Sequence, residues 1–199
     1  LPSLIWRVET NGAPVAYLTF DDGPTPHLTS RLLDSLAENN AGATFFLLGK
    51  HVELDPTLVA RIENAGHRIG LHGYDHLDAW RTNTETVVKD LERGLELLSS
   101  LTSHEIRHFR PPFGRIRRST LAWARERGLS VVMWDVMPGD FIPDTSHAVV
   151  ATRVRRQVRH GSIIVMHDSW NPNVMQHTAA ALSEMLRSLA DSGWRCERL

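Results

Sequence analysis

Along this chain, short runs of apolar, β-branched or aromatic residues alternate with longer stretches in which apolar residues recur every three or four positions. The short runs fall at 15–20, 43–48, 68–72, 107–110, 131–136, 162–167 and 194–199. Runs of this length without regular alternation suit strands buried on both faces. The longer stretches read as amphipathic helices. Leu28, Leu32, Leu33 and Leu36 share one face of a helix over 28–38, and Val87, Val88, Leu91, Leu95 and Leu98 do so over 84–101. Val150, Val154 and Val158 mark a third helix over 147–159, and a fourth runs over about 174–189.

Strand–helix alternation predicts a parallel sheet with right-handed crossovers. Seven strands in 199 residues fit a small, irregular α/β barrel; an open doubly wound sheet is the alternative. No repeat, low-complexity tract or linker interrupts the pattern, so residues 1–199 are expected to form a single domain. The Pro/Gly clusters at 23–26, 111–114 and 138–143 have the length of βα loops.

In either architecture, ligands bind beyond the carboxyl ends of the strands. The unusual residues of this chain fall there. Asp21 and Asp22 follow the first strand, and His72 and His76 the third. Arg110, Pro111, Pro112, Phe113 and Gly114 follow the fourth, Asp140 and Phe141 lie past the fifth, and His167 and Asp168 end the sixth. Taken alone, an Asp-Asp-Gly-Pro segment is an ordinary surface turn, and two histidines in a loop are ordinary too. Their common rim makes the chemistry.

His72 and His76 would share a face if their segment were a turn of helix, bringing two imidazoles onto one cation. Asp22 adds an anionic third ligand. Two histidines and one carboxylate with open positions suit a catalytic zinc or another transition metal. A cation on Asp22 also offsets the cost of adjacent like charges. It leaves Asp21 as a free carboxylate, placed to take a proton from water whose pKa zinc lowers to roughly 7.

Composition narrows the picture. The chain is 42% hydrophobic and 23% charged with a formal charge of −1, which is ordinary for a globular domain and excludes a general nucleic-acid or anionic-membrane binder. The single cysteine, Cys196, excludes an internal disulfide and a cysteine-based metal site; its place in the last strand suggests a buried, inert thiol. No apolar run approaches the ~18 residues of a transmembrane helix. Arg153, Arg155, Arg156 and Arg159 lie opposite the valine stripe and read as a solvated face. Arg115, Arg117 and Arg118 read as surface arginines rather than a polyanion site. Trp80 and Trp170 each follow a motif, where a flat ring suits either a sugar face or the core.

The segments Thr19-Phe-Asp-Asp-Gly-Pro24, His72 to His76, Arg110-Pro-Pro-Phe-Gly114 and Val165-Met-His167 resemble, in order, the motifs of the polysaccharide deacetylases (the NodB-homology or carbohydrate esterase family 4 group). The resemblance covers about residue 14 to the C-terminus. It implies a distorted (β/α) barrel and metal-dependent removal of acetyl groups from sugars. By this resemblance Asp22, His72 and His76 hold zinc (or cobalt, nickel or manganese). Asp21 is the base, and Arg110 braces it. His167 is the general acid, kept oriented and protonated by Asp140. The Phe113 N–H helps bind the oxyanion. Pro112, Val165 and Trp170 join it on the substrate side, with Val165 against the acetyl methyl.

The chain departs from the family pattern in four places. Gly73 stands where Ser or Thr is usual, and Phe113 where Tyr is frequent. Met137 and Phe141 replace an Asp and a Trp in the fourth motif, within reach of Asp135, and Val165 replaces Leu. The implied substrate is a glycan carrying N-acetylglucosamine: chitin oligomers, peptidoglycan or a related polymer. An O-acetyl xylan esterase or an amidase on a non-glycan would use the same site. A pure binding module would need neither the spare base nor the acid. The family's substrates point to an extracytoplasmic location, with the cytoplasm left open, and the sequence sets no oligomeric state.

Overall fold

The computed structural model describes residues 4–199. A two-residue strand, β1 (Leu4–Ile5), precedes β2 (Val15–Gly23) and helix α1 (Pro26–Glu38). Then follow β3 (Thr44–Leu47), the short helices α2 (Gly49–Leu54) and α3 (Thr57–Asn64), β4 (Arg68–Leu71) and α4 (Thr84–Leu101). Next come β5 (His108–Phe109), a 3-10 turn (Pro112–Gly114), α5 (Arg118–Glu126) and β6 (Ser130–Val132). The chain ends with α6 (His147–Gln157), β7 (Ile163–His167), α7 (Pro172–Asp191) and β8 (Arg195–Glu197).

The helices start where local chemistry allows. Pro26 opens α1 with its φ already set for a helix, and Asn83 caps α4 by accepting a bond from the Thr86 N–H at 2.9 Å. The apolar stripes then face inward. Leu28, Leu32 and Leu36 of α1 are at most 1% exposed, each burial contributing about 1.5–3 kcal/mol. Val150 and Val154 of α6 and Leu182 and Met185 of α7 are buried in the same core.

The sheet runs β1-β6-β5-β4-β3-β2-β7, with β8 beside the start of β2, and every pairing is parallel. From β2 to β6 each strand is the neighbour of the one before it, so the sheet winds in one direction only. A doubly wound sheet would reverse. The far edge closes through single bridges, Val136 to Ile164 and Arg7 to Ser162. The result is a distorted (β/α) barrel, and its carboxyl rim gathers the residues at the ends of β2, β4, β5, β6 and β7.

The seven expected strands are present, and the differences from the sequence reading are local. β2 continues through both aspartates to Gly23. The 131–136 run leaves the ladder after Val132, and Asp135 turns away from the rim to take bonds from Ser162 Oγ (2.9 Å) and the Ile163 N–H (2.8 Å). It therefore does not replace the aspartate missing at Met137. Arg155, Arg156 and Arg159 are exposed as expected, but Arg153 is half-buried and donates to the Pro138 carbonyl at 2.8 Å. It ties α6 to the loop that delivers Asp140. Cys196 is free and buried. Among the described residues, no helix is long and apolar enough to cross a membrane.

Candidate active site

A regular strand points successive side chains to opposite faces, so Asp21 and Asp22 should face apart. They do not, because β2 bulges between them. Asp21 pairs with Phe46 of β3 but Gly23 pairs with Leu47, leaving Asp22 as the extra residue. Its φ of 73° puts it in the left-handed region, at a cost on the order of 1–3 kcal/mol. Both carboxylates consequently line one cavity of about 500 Å³.

Asp21 is held from behind. Arg110 is fully buried and donates to Asp21 Oδ1 and to Thr19 Oγ1, both at 2.7 Å, and to the carbonyls of Val132 and Met133. Burial works against the Arg110 charge and lowers its pKa, and Asp21 offsets part of that effect. Thr19 opens the first motif, but the sequence assigns its side chain no role. Strand alternation already places it on the face of Asp21, two residues on.

His72 Nε2 and His76 Nε2 lie 3.5 Å and 3.3 Å from Asp22 Oδ1. One ligand atom from each of the three residues lies within 4.8 Å of the others. Asp22 Oδ1 is buried with no hydrogen-bond partner, a state that native proteins avoid unless another ligand satisfies the oxygen. His72 Nδ1 meets the Arg110 carbonyl at 2.7 Å, which turns Nε2 toward Asp22. Two imidazoles, one carboxylate and an orphaned oxygen fit a divalent cation of the zinc class.

The two histidines do not converge through a helical turn. Residues 72–76 form an irregular loop with Gly73 at φ 93° and His76 at φ 63°. Asp90 of α4 holds it by accepting from the N–H groups of Tyr74 (2.9 Å) and Asp75 (2.8 Å). Glycine suits position 73 because its φ is left-handed and a Cβ would meet an Asp90 oxygen at 2.9 Å.

The opposite wall carries His167. Its Nδ1 lies 3.0 Å from Asp140 Oδ1, and its N–H donates to Asp140 Oδ2 at 2.7 Å. Thr178 supplies a third donor to that carboxylate. Burial disfavours charge on His167, but Asp140, with Asp21 and Asp22 beyond, outweighs it and pushes the imidazole up to about 9. His76 moves the other way. Burial, reinforced by the neighbouring His72, takes it down to about 4. Burial also works to raise the Asp22 carboxyl, yet the imidazoles around it, His72 foremost, hold it well below the carboxylate range.

Asp21, Asp22, His72, His76, Phe113, Val165 and His167 all line the cavity. Arg110 and Asp140 are buried behind it, Arg110 against Asp21 and Asp140 against His167. Phe113 stands at φ 59° with its ring 4.4 Å from His76. Pro112 and Trp170 lie outside the cavity lining: Pro112 is buried in the wall, and Trp170 is exposed beside His51 at 5.8 Å. His51 in turn meets the Asp22 carbonyl at 2.7 Å. Trp134, Ser169, Asn171 and Val174 line the cavity without any earlier signal beyond closeness to the motifs. Trp80 is exposed at the rim and packs against Arg115, whose charge pairs with Asp78.

Comparison with known proteins agrees with this geometry. The profile described as polysaccharide deacetylase matches residues 8–132. The chain belongs to the polysaccharide deacetylase family. It is 36% identical over 194 residues to a chitooligosaccharide deacetylase of Sinorhizobium fredii, covering 92% of this chain and 89% of that one. It is 35% identical over 185 residues to a peptidoglycan-N-acetylglucosamine deacetylase of Bacillus cereus, covering 93% of this chain but 66% of the longer relative. A solved Bacillus anthracis structure described as a family pseudoenzyme superposes with a TM-score of 0.88 at 25% identity, covering 100% of this chain and 68% of that one. Family membership and the named relatives support a carbohydrate deacetylase. The shared fold also carries a pseudoenzyme, so activity must be argued from the site.

Proposed function

We propose that this chain hydrolyses the N-acetyl groups of an N-acetylglucosamine-containing glycan in a metal-dependent reaction, releasing acetate and leaving a free amine. The observation that carries this reading is the pairing of two unlike groups across one cavity. Asp21 is a carboxylate beyond those needed for the cation site, and His167 is an imidazole kept protonated at neutral pH. Binding alone would require neither.

Asp22, His72 and His76 would hold the cation. When bound, it would supply positive charge to polarise the acetyl carbonyl and would lower the pKa of water. Asp21, fixed by Arg110, takes the proton of the attacking water as its oxygen bonds to the acetyl carbon. The Phe113 N–H donates to the developing oxyanion. The C–N bond then breaks, and His167 delivers its proton to the departing nitrogen while Asp140 holds the ring. Val165, which lines the cavity, would pack against the acetyl methyl group. The glycan class follows from the relatives' named substrates, chitooligosaccharide and peptidoglycan.

The test is acetate release from N-acetylchitooligomers and peptidoglycan, with acetylated xylan in parallel. Release should vanish on chelation and return with zinc. Full activity in chelator would overturn the metal dependence, and release from xylan alone would make the enzyme an O-acetyl esterase.

A further inference from the structure

Asp168 follows the general acid but takes no part in the chemistry above. It is 0% exposed and does not line the cavity. Its hydrogen bonds reach the end of β2, the turn after it and the first turn of α1. The Asp168 N–H donates to the Asp21 carbonyl at 2.8 Å, immediately before the bulge. On the other side, Thr25 Oγ1 donates to the Asp168 carbonyl at 3.2 Å. The side chain makes a third link: Thr29 Oγ1 donates to Asp168 Oδ2 at 2.5 Å while accepting from the Thr25 N–H at 2.8 Å. Asp22 is thus suspended between two points, Asp21 and Thr25, both fastened to the residue that follows β7.

Gly23 shows how close this fit is. A Cβ there would sit 2.6 Å from Asp168 Oδ2. Gly23 is not among the glycines with positive φ, so it is required for the approach of the Asp168 carboxyl and not for its own backbone conformation. Asp168 Oδ1 is buried without a partner. A buried carboxyl with an unpaired oxygen is a cost to folding, so packing does not explain its presence.

We propose that Asp168 is a positioning residue for the cation site: it clamps the β2 bulge to β7 and so aims Asp22 Oδ1 at His72 and His76. The proposal rests on the reading of Asp22, His72 and His76 as cation ligands. It differs from a capping role at the start of α1, which would affect melting but not the ligand geometry.

The experiment compares the full chain with Asp168→Ala and Asp168→Asn. Zinc affinity is read by competition with a chromophoric chelator, site geometry by the visible spectrum of the cobalt-loaded proteins, and folding by melting of the zinc-free proteins. The Ala variant should bind zinc about 10–100-fold more weakly, as outer-shell partners of metal ligands do when removed, with an altered cobalt spectrum. The Asn variant keeps an acceptor for Thr29 and should stay close to the parent. An Ala variant with unchanged zinc affinity and cobalt spectrum overturns the clamp, whatever its melting temperature. So does an Asn variant as weak as Ala. Where the Ala variant fails to fold, Thr29→Val removes the donor at constant shape; weaker zinc binding supports the clamp and unchanged binding overturns it. A parent chain that binds no zinc overturns the cation site itself, and that result appears before any variant is made.

Discussion

His76 and His167, on opposite walls of one cavity, are driven in opposite directions by their surroundings, while His72 beside His76 is buried too but is raised by Asp21 and Asp22. On the β4 side, His76 packs against the Phe113 ring and beside His72, and its pKa falls to about 4. On the β7 side, His167 is as enclosed, yet the Asp140 carboxylate at 3.0 Å raises it to about 9. Burial opposes charge in both cases; a dedicated carboxylate reverses the outcome in one. The chemistry follows from that difference. A neutral Nε2 can bind a cation without first losing a proton, and a protonated ring can serve as an acid. Environments that push like groups apart assign their roles.

The largest effect should come from removing the one carboxylate that serves neither histidine as a partner of its own. Asp21→Asn should lower kcat by about 10²–10⁴-fold, the usual worth of a general base, while zinc content measured by elemental analysis stays at the parent level. Parent-level turnover in this variant would assign the base elsewhere.

A smaller effect should sharpen the contrast from the acid side. His167 is charged below about pH 9 and loses its proton as pH rises through that value, so kcat should fall there. In Asp140→Asn the opposing carboxylate is gone and burial remains, so the descending limb should move down by about one to two pH units. The amide also offers one oxygen where a carboxylate now meets three donors, His167 Nδ1, the His167 N–H and Thr178 Oγ1. Some loss of kcat should therefore accompany the shift. An unmoved limb in the pH–rate profile would mean that His167 is not the titrating acid.

The sequence made much of this visible, for physical reasons that differ by element. Strands buried on both faces leave near-continuous apolar runs, so β3, β4 and β7 are readable to within a residue at each end, and β2 up to its aspartates. Long helices with a stripe, such as α4, are readable to their ends. The short α2, α3 and α5 have too few turns for a period to emerge, and Leu4–Ile5 is too short for any pattern. At the site, the charged residues were found because they stand at strand ends. The backbone that makes them converge was not. Nothing in Asp-Asp-Gly-Pro announces that Asp22 is the extra residue of a bulge, and the spacing of His72 and His76 suggests a helix turn where Gly73 and His76 instead adopt left-handed conformations. Asp135 and Trp170 illustrate the same gap, because proximity in sequence does not set side-chain direction. Arg153 was misread because its acceptor, the Pro138 carbonyl, belongs to a distant loop.

The smallest predicted effect tests the neutral side of the comparison. If His76 is held down chiefly by burial, then opening its surroundings should raise it. Phe113 is the obvious lever, with its ring 4.4 Å from the imidazole and its own side chain already 56% exposed at the rim. Phe113→Ala removes that cover, keeps the backbone N–H, and lets water reach His76. The pKa should climb from about 4 toward the ordinary value of 6.5, with Asp22 and Asp21 now favouring the charged form. The measurement is an imidazole NMR titration of the zinc-free protein. His76 is depressed when folded, so its contribution to stability is present above pH 6.5 and lost as pH falls toward 4; in the variant that loss should be smaller. A His76 that stays near 4 without the Phe113 ring would shift the cause from burial to the neighbouring His72, and Asp22 would then be balancing two competing imidazoles.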